Sequence, residues 1–155
     1  MLLASLSAHA ATSTTTFSVT ASISATCSIS ASTLGFGTYN PVLSANLDAT
    51  TNVSVTCTSG STYNVGLDAG TGTGATVANR LMTRTSGGTQ TIAYSLYQDS
   101  GHSTVWGNTV GTDTVSGTGS GSAQSITVYG RIFSTNSTSL PPASYSDTIT
   151  ATITY

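Results

Sequence analysis

The chain has 155 residues, 5% of them charged, with a net charge of −2, 26 serines, 32 threonines and neither Lys nor Glu, whereas an ordinary soluble domain carries about 25% charge. Its only cations, Arg80, Arg84 and Arg131, are too few to release counterions from a phosphate backbone or to hold an anionic bilayer, so nucleic-acid binding and electrostatic membrane binding are excluded. The length suits a single domain.

Residues 1–10 read MLLASLSAHA. A short apolar run followed by Ala8-His9-Ala10 has the small-x-small pattern of a signal-peptidase site, so cleavage is expected after Ala10. The run is too short to span a bilayer and lacks a cationic start, so it reads as the remnant of an export signal. From Thr16 onward the sequence alternates. Phe17, Val19, Ala21, Ile23, Ala25 and Cys27 share one face and Ser or Thr occupies each position between, which is the period-2 pattern of a strand with one dry side.

A short strand is expected at 34–39, closed by Asn40-Pro41, and further strands at 51–58, 62–68, 91–98, 124–133 and 147–155. Between them lie turn-forming stretches at 68–74, 86–89, 99–101 and 116–122. Richness in Thr, Val, Ile and Tyr separates this chain from a disordered one of equally low charge. No stretch longer than a turn carries uninterrupted helical spacing. The class is therefore all-β, a sandwich or a barrel. Cys27 and Cys57 fit one disulfide in an exported protein. Closing a loop of about 30 residues would stabilise the fold by about 3.6 kcal/mol in the chain-entropy model.

The two ends pose an edge problem. Segments 16–23 and 147–155 are long, alternating and almost free of charge, whereas a sandwich normally blunts its edges with charge, Pro or bulges. Either the ends pair within one molecule, or each pairs with a neighbour and builds a polymer by strand addition.

An ordered set of short motifs covers essentially all of the chain after residue 10. It begins with Phe17-x-Val19-x-Ala21-x-Ile23 leading into Cys27, then Gly35-Phe36-Gly37-Thr38-Tyr39, Val55-Thr56-Cys57-Thr58, Tyr63-x-Val65-x-Leu67-Asp68-x-Gly70 and Arg80-Leu81-Met82. It continues through Ala93-Tyr94-Ser95-Leu96-Tyr97-Gln98-Asp99, Trp106-Gly107, Val128-Tyr129-Gly130 and the closing Pro142-x-x-Tyr145-x-Asp147-Thr148. This set resembles the spore coat protein U domain family, to which the major subunits of archaic (Csu-type) chaperone–usher pili belong. Ala143 and Ser144 stand where the family's closing motif usually has Gly before its Tyr.

The resemblance implies an incomplete immunoglobulin-like β-sandwich, completed by a donor strand from a neighbouring subunit. It divides the chain into a signal remnant at 1–10, a donor strand at 11–24 that inserts Phe17, Val19, Ala21 and Ile23, and a pilin domain at 25–155. The acceptor groove would be lined partly by Ile149, Ala151, Ile153 and Tyr155, and Cys27 and Cys57 would form the family's disulfide. The implied partners are further copies of the chain, a periplasmic chaperone and an outer-membrane usher. The implied location is a fimbria on the surface of a Gram-negative bacterium, reached through the periplasm.

Other chemistries are weakly supported. Asp48, Asp68, Asp99, Asp113 and Asp147 each sit beside a turn or strand end and read as structural rather than as a calcium or paired-carboxylate site. Trp106 with Tyr94, Tyr97 and Tyr129 reads as core rather than as a sugar-stacking platform. His9 and His102 are far apart in sequence, no Ser has a plausible His partner, and Lys is absent. No catalytic triad, metal site, cofactor or Lys–Asn cross-link is expected, and the chain does not read as an enzyme. The sequons at Asn52 and Asn136 read as chance matches. The favoured function is a structural pilin whose fibre serves adhesion and biofilm formation. The alternative is a self-complemented monomer acting as a secreted coat or carbohydrate- or surface-binding protein.

Overall fold

The computed structural model describes residues 9–155, so most of the expected signal remnant, residues 1–8, lies outside the described residues. Nine strands follow in chain order: β1 (Cys27–Ala31), β2 (Leu47–Cys57), β3 (Thr62–Leu67), β4 (Arg80–Arg84), β5 (Thr91–Tyr97), β6 (Val115–Thr118), β7 (Gln124–Ile132), β8 (Tyr145–Ser146) and β9 (Ala151–Thr154). One sheet has the order β1-β2-β7-β5-β4-β8 and the other β6-β3-β9. Every pairing is antiparallel. The only helical element among the described residues is a 3-10 turn at Pro41–Leu43, started by Asn40, whose side chain accepts from the Val42 amide.

Alternation dictates which side chains meet between the sheets. Val53, Val55 and Cys57 of β2, Val128 and Ile132 of β7, and Ile92, Tyr94 and Leu96 of β5 face Tyr63, Val65 and Leu67 of β3. Trp106 fills the space between them with no exposed surface, and its indole N–H donates to the Val65 carbonyl at 2.8 Å. Cys27 and Cys57 are bonded and sit directly opposite each other at one end of the β1–β2 ladder. The result is an immunoglobulin-like sandwich with one strand position open.

Several sequence expectations need correction. Residues 16–23 form no strand, because no described segment pairs with them; among the described residues regular pairing begins at Cys27. Residues 34–39 also belong to no strand, although Leu34, Phe36 and Tyr39 turn partly inward while Gly35, Gly37 and Thr38 stay exposed. The expected final strand at 147–155 is interrupted. The chain leaves β8 in the larger sheet and enters β9 in the smaller one, and 147–150 cross between them unpaired by any ladder. The glycine-rich stretch 116–122, expected as a turn, contributes most of β6. There Gly117 lies against the Tyr63 ring, where any side chain would collide. β4 was not anticipated as a strand.

Candidate functional site

The open strand position is a groove between two walls whose facing edges belong to no ladder. One wall is the end of β1 and the segment after it, whose Ala31, Leu34 and Phe36 line the cavity; the other runs from β8 across to β9, with Tyr145, Ile149 and Ala151. Between them lies a cavity of about 480 Å³, floored by Val53, Leu67, Met82, Leu96 and Val128. A second cavity of about 670 Å³ continues it toward Pro41 and Leu140, and the two share Leu34, Phe36, Met82 and Tyr145. The groove is thus elongated and mostly apolar, with Ser32, Thr33, Thr51, Ser146, Asp147 and Thr148 among its lining, and the facing edge of each wall belongs to no ladder. Such a shape matches a single strand that hydrogen-bonds to both sides and buries alternate side chains.

Two aspartates fix the β8–β9 wall. The Asp147 carboxylate accepts from the Tyr94 hydroxyl at 2.8 Å, from the Thr71 amide at 2.7 Å and hydroxyl at 2.8 Å, and from the Thr148 amide at 2.8 Å. Burial, reinforced by the bond to Asp147, pushes the Tyr94 hydroxyl far above its ordinary pKa, so it remains a proton donor. The Asp68 carboxylate accepts from the Gly70 amide at 3.0 Å and the Thr150 amide at 2.9 Å, while its own amide donates to the Thr150 carbonyl at 3.1 Å. Behind this wall Arg80 is completely buried. Its guanidinium donates to the carbonyls of Asp68, Val77, Leu67 and Trp106 at 2.6–3.0 Å. The fork therefore ties the start of the β3–β4 connection to the β5–β6 connection, and burial lowers the pKa of a group that stays charged.

The expected donor side chains stand outside all of this. Phe17, Val19 and Ile23 are 86%, 85% and 89% exposed, and Ala21 is exposed as well. Four residues with an apolar face are left in solvent beside a sandwich that lacks a strand. Of the expected groove residues, Ile149 and Ala151 line the cavity. Ile153 packs on the core opposite Val65, and Tyr155 is 58% exposed at the chain end. The sequence reading missed the opposite wall, Leu34 and Phe36, and the Tyr94–Asp147–Thr71 latch. The alternation Leu34-Gly35-Phe36-Gly37 was visible, but nothing local shows that it forms a wall of the groove rather than a strand of a sheet.

The remaining candidates do not assemble a second site. Tyr97 and Tyr129 pack edge-on against His102 on the outer face of the larger sheet, at 5.2 Å and 6.4 Å between ring centres, away from the buried Trp106. There Arg131 forms a two-pronged pair with Asp48 at 2.7 Å, which holds the Asp48 carboxyl below its usual range, and His102 Nε2 lies 3.8 Å from the same carboxylate. Asp99 caps the 99–104 loop through the Ser103 and Thr104 amides, and Asp113 accepts from the Thr109 amide. Asn136 mimics a strand partner, bonding both the amide and the carbonyl of Ala93.

Three comparisons bear on this geometry. Across 84% of this chain, the fold matches a chain of the chaperone–tip adhesion subunit pre-assembly complex from archaic chaperone-usher Csu pili of Acinetobacter baumannii, with a TM-score of 0.60 and 20% identity. The chain spans only 40% of that structure's chain. It is also 37% identical over 161 residues to Protein U of Myxococcus xanthus, an alignment that covers 96% of this chain and 88% of the relative. Finally, the family model described as Spore Coat Protein U domain matches residues 13–152, from the exposed alternating segment through β9. With nearly the whole chain inside that match, the protein belongs to the Spore Coat Protein U domain family.

Proposed function

We propose that the chain is a structural subunit that polymerises by donor-strand complementation, the alternating segment 11–24 of one copy entering the groove of the next, to build a surface fibre of the chaperone–usher type. The observation that carries this reading is the coexistence, in one molecule, of an exposed strand-like segment with apolar Phe17, Val19, Ala21 and Ile23 and an apolar groove with two unpaired walls. Each deficiency has the form of the other's remedy. The acceptor residues in this reading are Ile149, Ala151, Ile153 and Tyr155 on one side, with Leu34 and Phe36 on the other. The fold it shares with a chain from a chaperone–subunit complex supports a periplasmic chaperone as the groove's occupant before assembly and an outer-membrane usher as the site of exchange. In this reading the fibre reaches the cell exterior and serves adhesion and biofilm formation, with 25–155 as the pilin domain and residues 1–10 as the removed leader.

The double substitution Phe17→Asp with Val19→Asp tests the donor assignment. Two carboxylates cannot enter an apolar groove without a partner. The variant is expected to accept a strand from wild-type copies but to donate none, so fibres imaged by electron microscopy should be absent when it is expressed alone. Long fibres from the double variant would refute the assignment. A self-complemented coat or surface-binding monomer, the competing reading, predicts instead a single small species on size exclusion.

A further inference from the structure

We propose that Met82 makes the groove sensitive to oxidation: in a copy whose groove is empty its thioether is open to peroxide, and the sulfoxide that forms there bars a strand from entering. This rests on the donor reading above and adds a covalent control on which copies can accept a strand.

Met82 lies where the larger sheet opens. It belongs to β4, opposite Ile92 of β5. On its other side, β8 pairs Tyr145 with Arg84 and Ser146 with Thr83, and then leaves the sheet. The next position along β4 is Met82, so the departure of the chain at Asp147 ends the ladder beside it. The side chain is only partly buried; it packs on the core and lines both cavities. Of the residues the two cavities share, with Leu34, Phe36 and Tyr145 as the others, Met82 is the one that carries sulfur.

The composition leaves peroxide few other targets. The chain has two methionines, of which Met1 falls in the expected leader, and its two cysteines are already joined. Attack of the Met82 Sδ on hydrogen peroxide forms an S–O bond and breaks the O–O bond. The thioether loses two electrons and becomes the sulfoxide, while the second peroxide oxygen leaves as water.

The product changes the groove floor. A flexible apolar side chain that can adapt to a strand above it becomes a polar, chiral one. Once a strand excludes water, the new oxygen needs a donor. The phenols lining the cavities are committed elsewhere: Tyr94 donates to Asp147 at 2.8 Å, Tyr39 to the Phe133 carbonyl at 3.0 Å and Tyr145 to the Pro141 carbonyl at 3.1 Å. The Thr51 hydroxyl donates to the Ser32 and Thr33 carbonyls. Ser144, Ser146 and Thr148 are exposed, at the rim rather than the floor. An entering strand would spend its own amides on the two walls. The sulfoxide therefore meets a strand as an unbonded polar group and weakens its binding. A strand already in place has the opposite effect, since it covers the floor and keeps peroxide from the sulfur. Oxidation thus sorts copies, sparing those in a fibre and withdrawing those outside it.

The test uses the full-length Phe17→Asp, Val19→Asp variant, whose copies are expected to leave one another's grooves empty. Dilute hydrogen peroxide is applied to this variant alone, to the variant saturated with a synthetic peptide of residues 14–24, and to wild-type fibres. Oxygen uptake at Met82 is followed by peptide mass spectrometry, peptide affinity by calorimetry and the fold by Trp106 fluorescence. The empty variant is expected to oxidise at Met82 about tenfold or more faster than the other two samples. Once oxidised it should bind the peptide about tenfold or more weakly, with Trp106 still native. In Met82→Leu, whatever its starting affinity, peroxide should leave the affinity where it was. Equal oxidation rates with and without a strand would overturn the proposal, as would undiminished binding after oxidation, loss of the native Trp106 signal on oxidation, or the same loss of affinity in Met82→Leu. If the peptide does not bind the unoxidised variant, the donor reading itself is wrong and this proposal falls with it. If it binds and any of the other failures occurs, only the Met82 proposal fails.

Discussion

At the scale of single residues, the site is held by polar groups that the sequence reading took as ordinary turn residues. Arg80 is the extreme case: a buried guanidinium with no carboxylate in hydrogen-bond contact, bonded to four carbonyls while the charges of Asp68, Asp147 and Asp113 act on it from further away. Leaving such a charge unbonded would be very costly, so the surrounding loops are fixed by its four hydrogen bonds. Asp68, whose carbonyl accepts from Arg80, does similar work by holding Thr150 of the β8–β9 crossing. Burial opposes its charge, but the Thr150 and Gly70 amides and the nearby Arg80 outweigh this, and its carboxyl titrates below the usual range. A carboxyl with a lower pKa in the folded than in the unfolded chain binds fewer protons when folded. Its stabilisation is complete above about pH 4, the unfolded value, and is lost as pH falls through the folded value. The thermal midpoint should therefore be flat from neutrality to about pH 4 and fall below it. Asp68→Asn should lower the neutral midpoint and shallow the acid fall, as measured by circular dichroism melts across pH. An acid fall of unchanged steepness in Asp68→Asn would show that other groups carry it.

At the scale of elements, the wall formed by Leu34 and Phe36 depends on a glycine in the strand beneath it. A methyl group at Gly130 in β7 would stand 2.6 Å from Leu34 Cδ2 and 2.9 Å from Phe36 Cζ, so the wall would have to move into the groove. Gly130→Ala is expected to destabilise the domain by about 1–3 kcal/mol and to weaken binding of a donor peptide. Gly35→Ala, which meets nothing within 4 Å, should change little. Equal peptide binding by the two variants in calorimetry would remove Leu34 and Phe36 from the groove. The same elements show what a sequence can disclose. Strands β2, β3, β5 and β7 were legible because alternate Val, Ile, Leu and Tyr residues face the core along their length. β4 was not, because its buried pattern does not alternate and Arg80, its fully buried residue, is charged. β6 was not, because its inward Gly117 is chosen for closeness to Tyr63, and glycine otherwise signals a turn. The groove was half legible. Its β9 side shows as alternation running through residue 155, while the other wall is a segment outside any ladder, which local periodicity cannot tell from a strand.

At the scale of the whole molecule, the scarcity of charge governs how an assembled fibre should respond to its surroundings. The ion pair found among the described residues joins Asp48 to Arg131 on the outer face of the larger sheet, with His102 beside it and away from the groove. The groove is mostly apolar, and the proposed donor segment 11–24 has no charged residue. The contact between copies should therefore rest on apolar burial and backbone hydrogen bonds, which screening hardly touches even at 1 M salt, where the Debye length is about 3 Å. A strand lying between two walls leaves only when those walls separate, so persistence should be set by the unfolding barrier of the acceptor subunit rather than by an equilibrium between copies. Sheared fibres diluted into buffers from low salt to about 1 M NaCl should lose subunits at one common rate. That rate should be insensitive to dilution and should match the unfolding rate of the domain followed by fluorescence of the buried Trp106. Denaturant should accelerate both processes in parallel, because each exposes the same core. Release that quickens with salt while the Trp106 signal stays native would mean that the copies are joined by surface charge, and the strand-exchange account of the fibre would have to be given up.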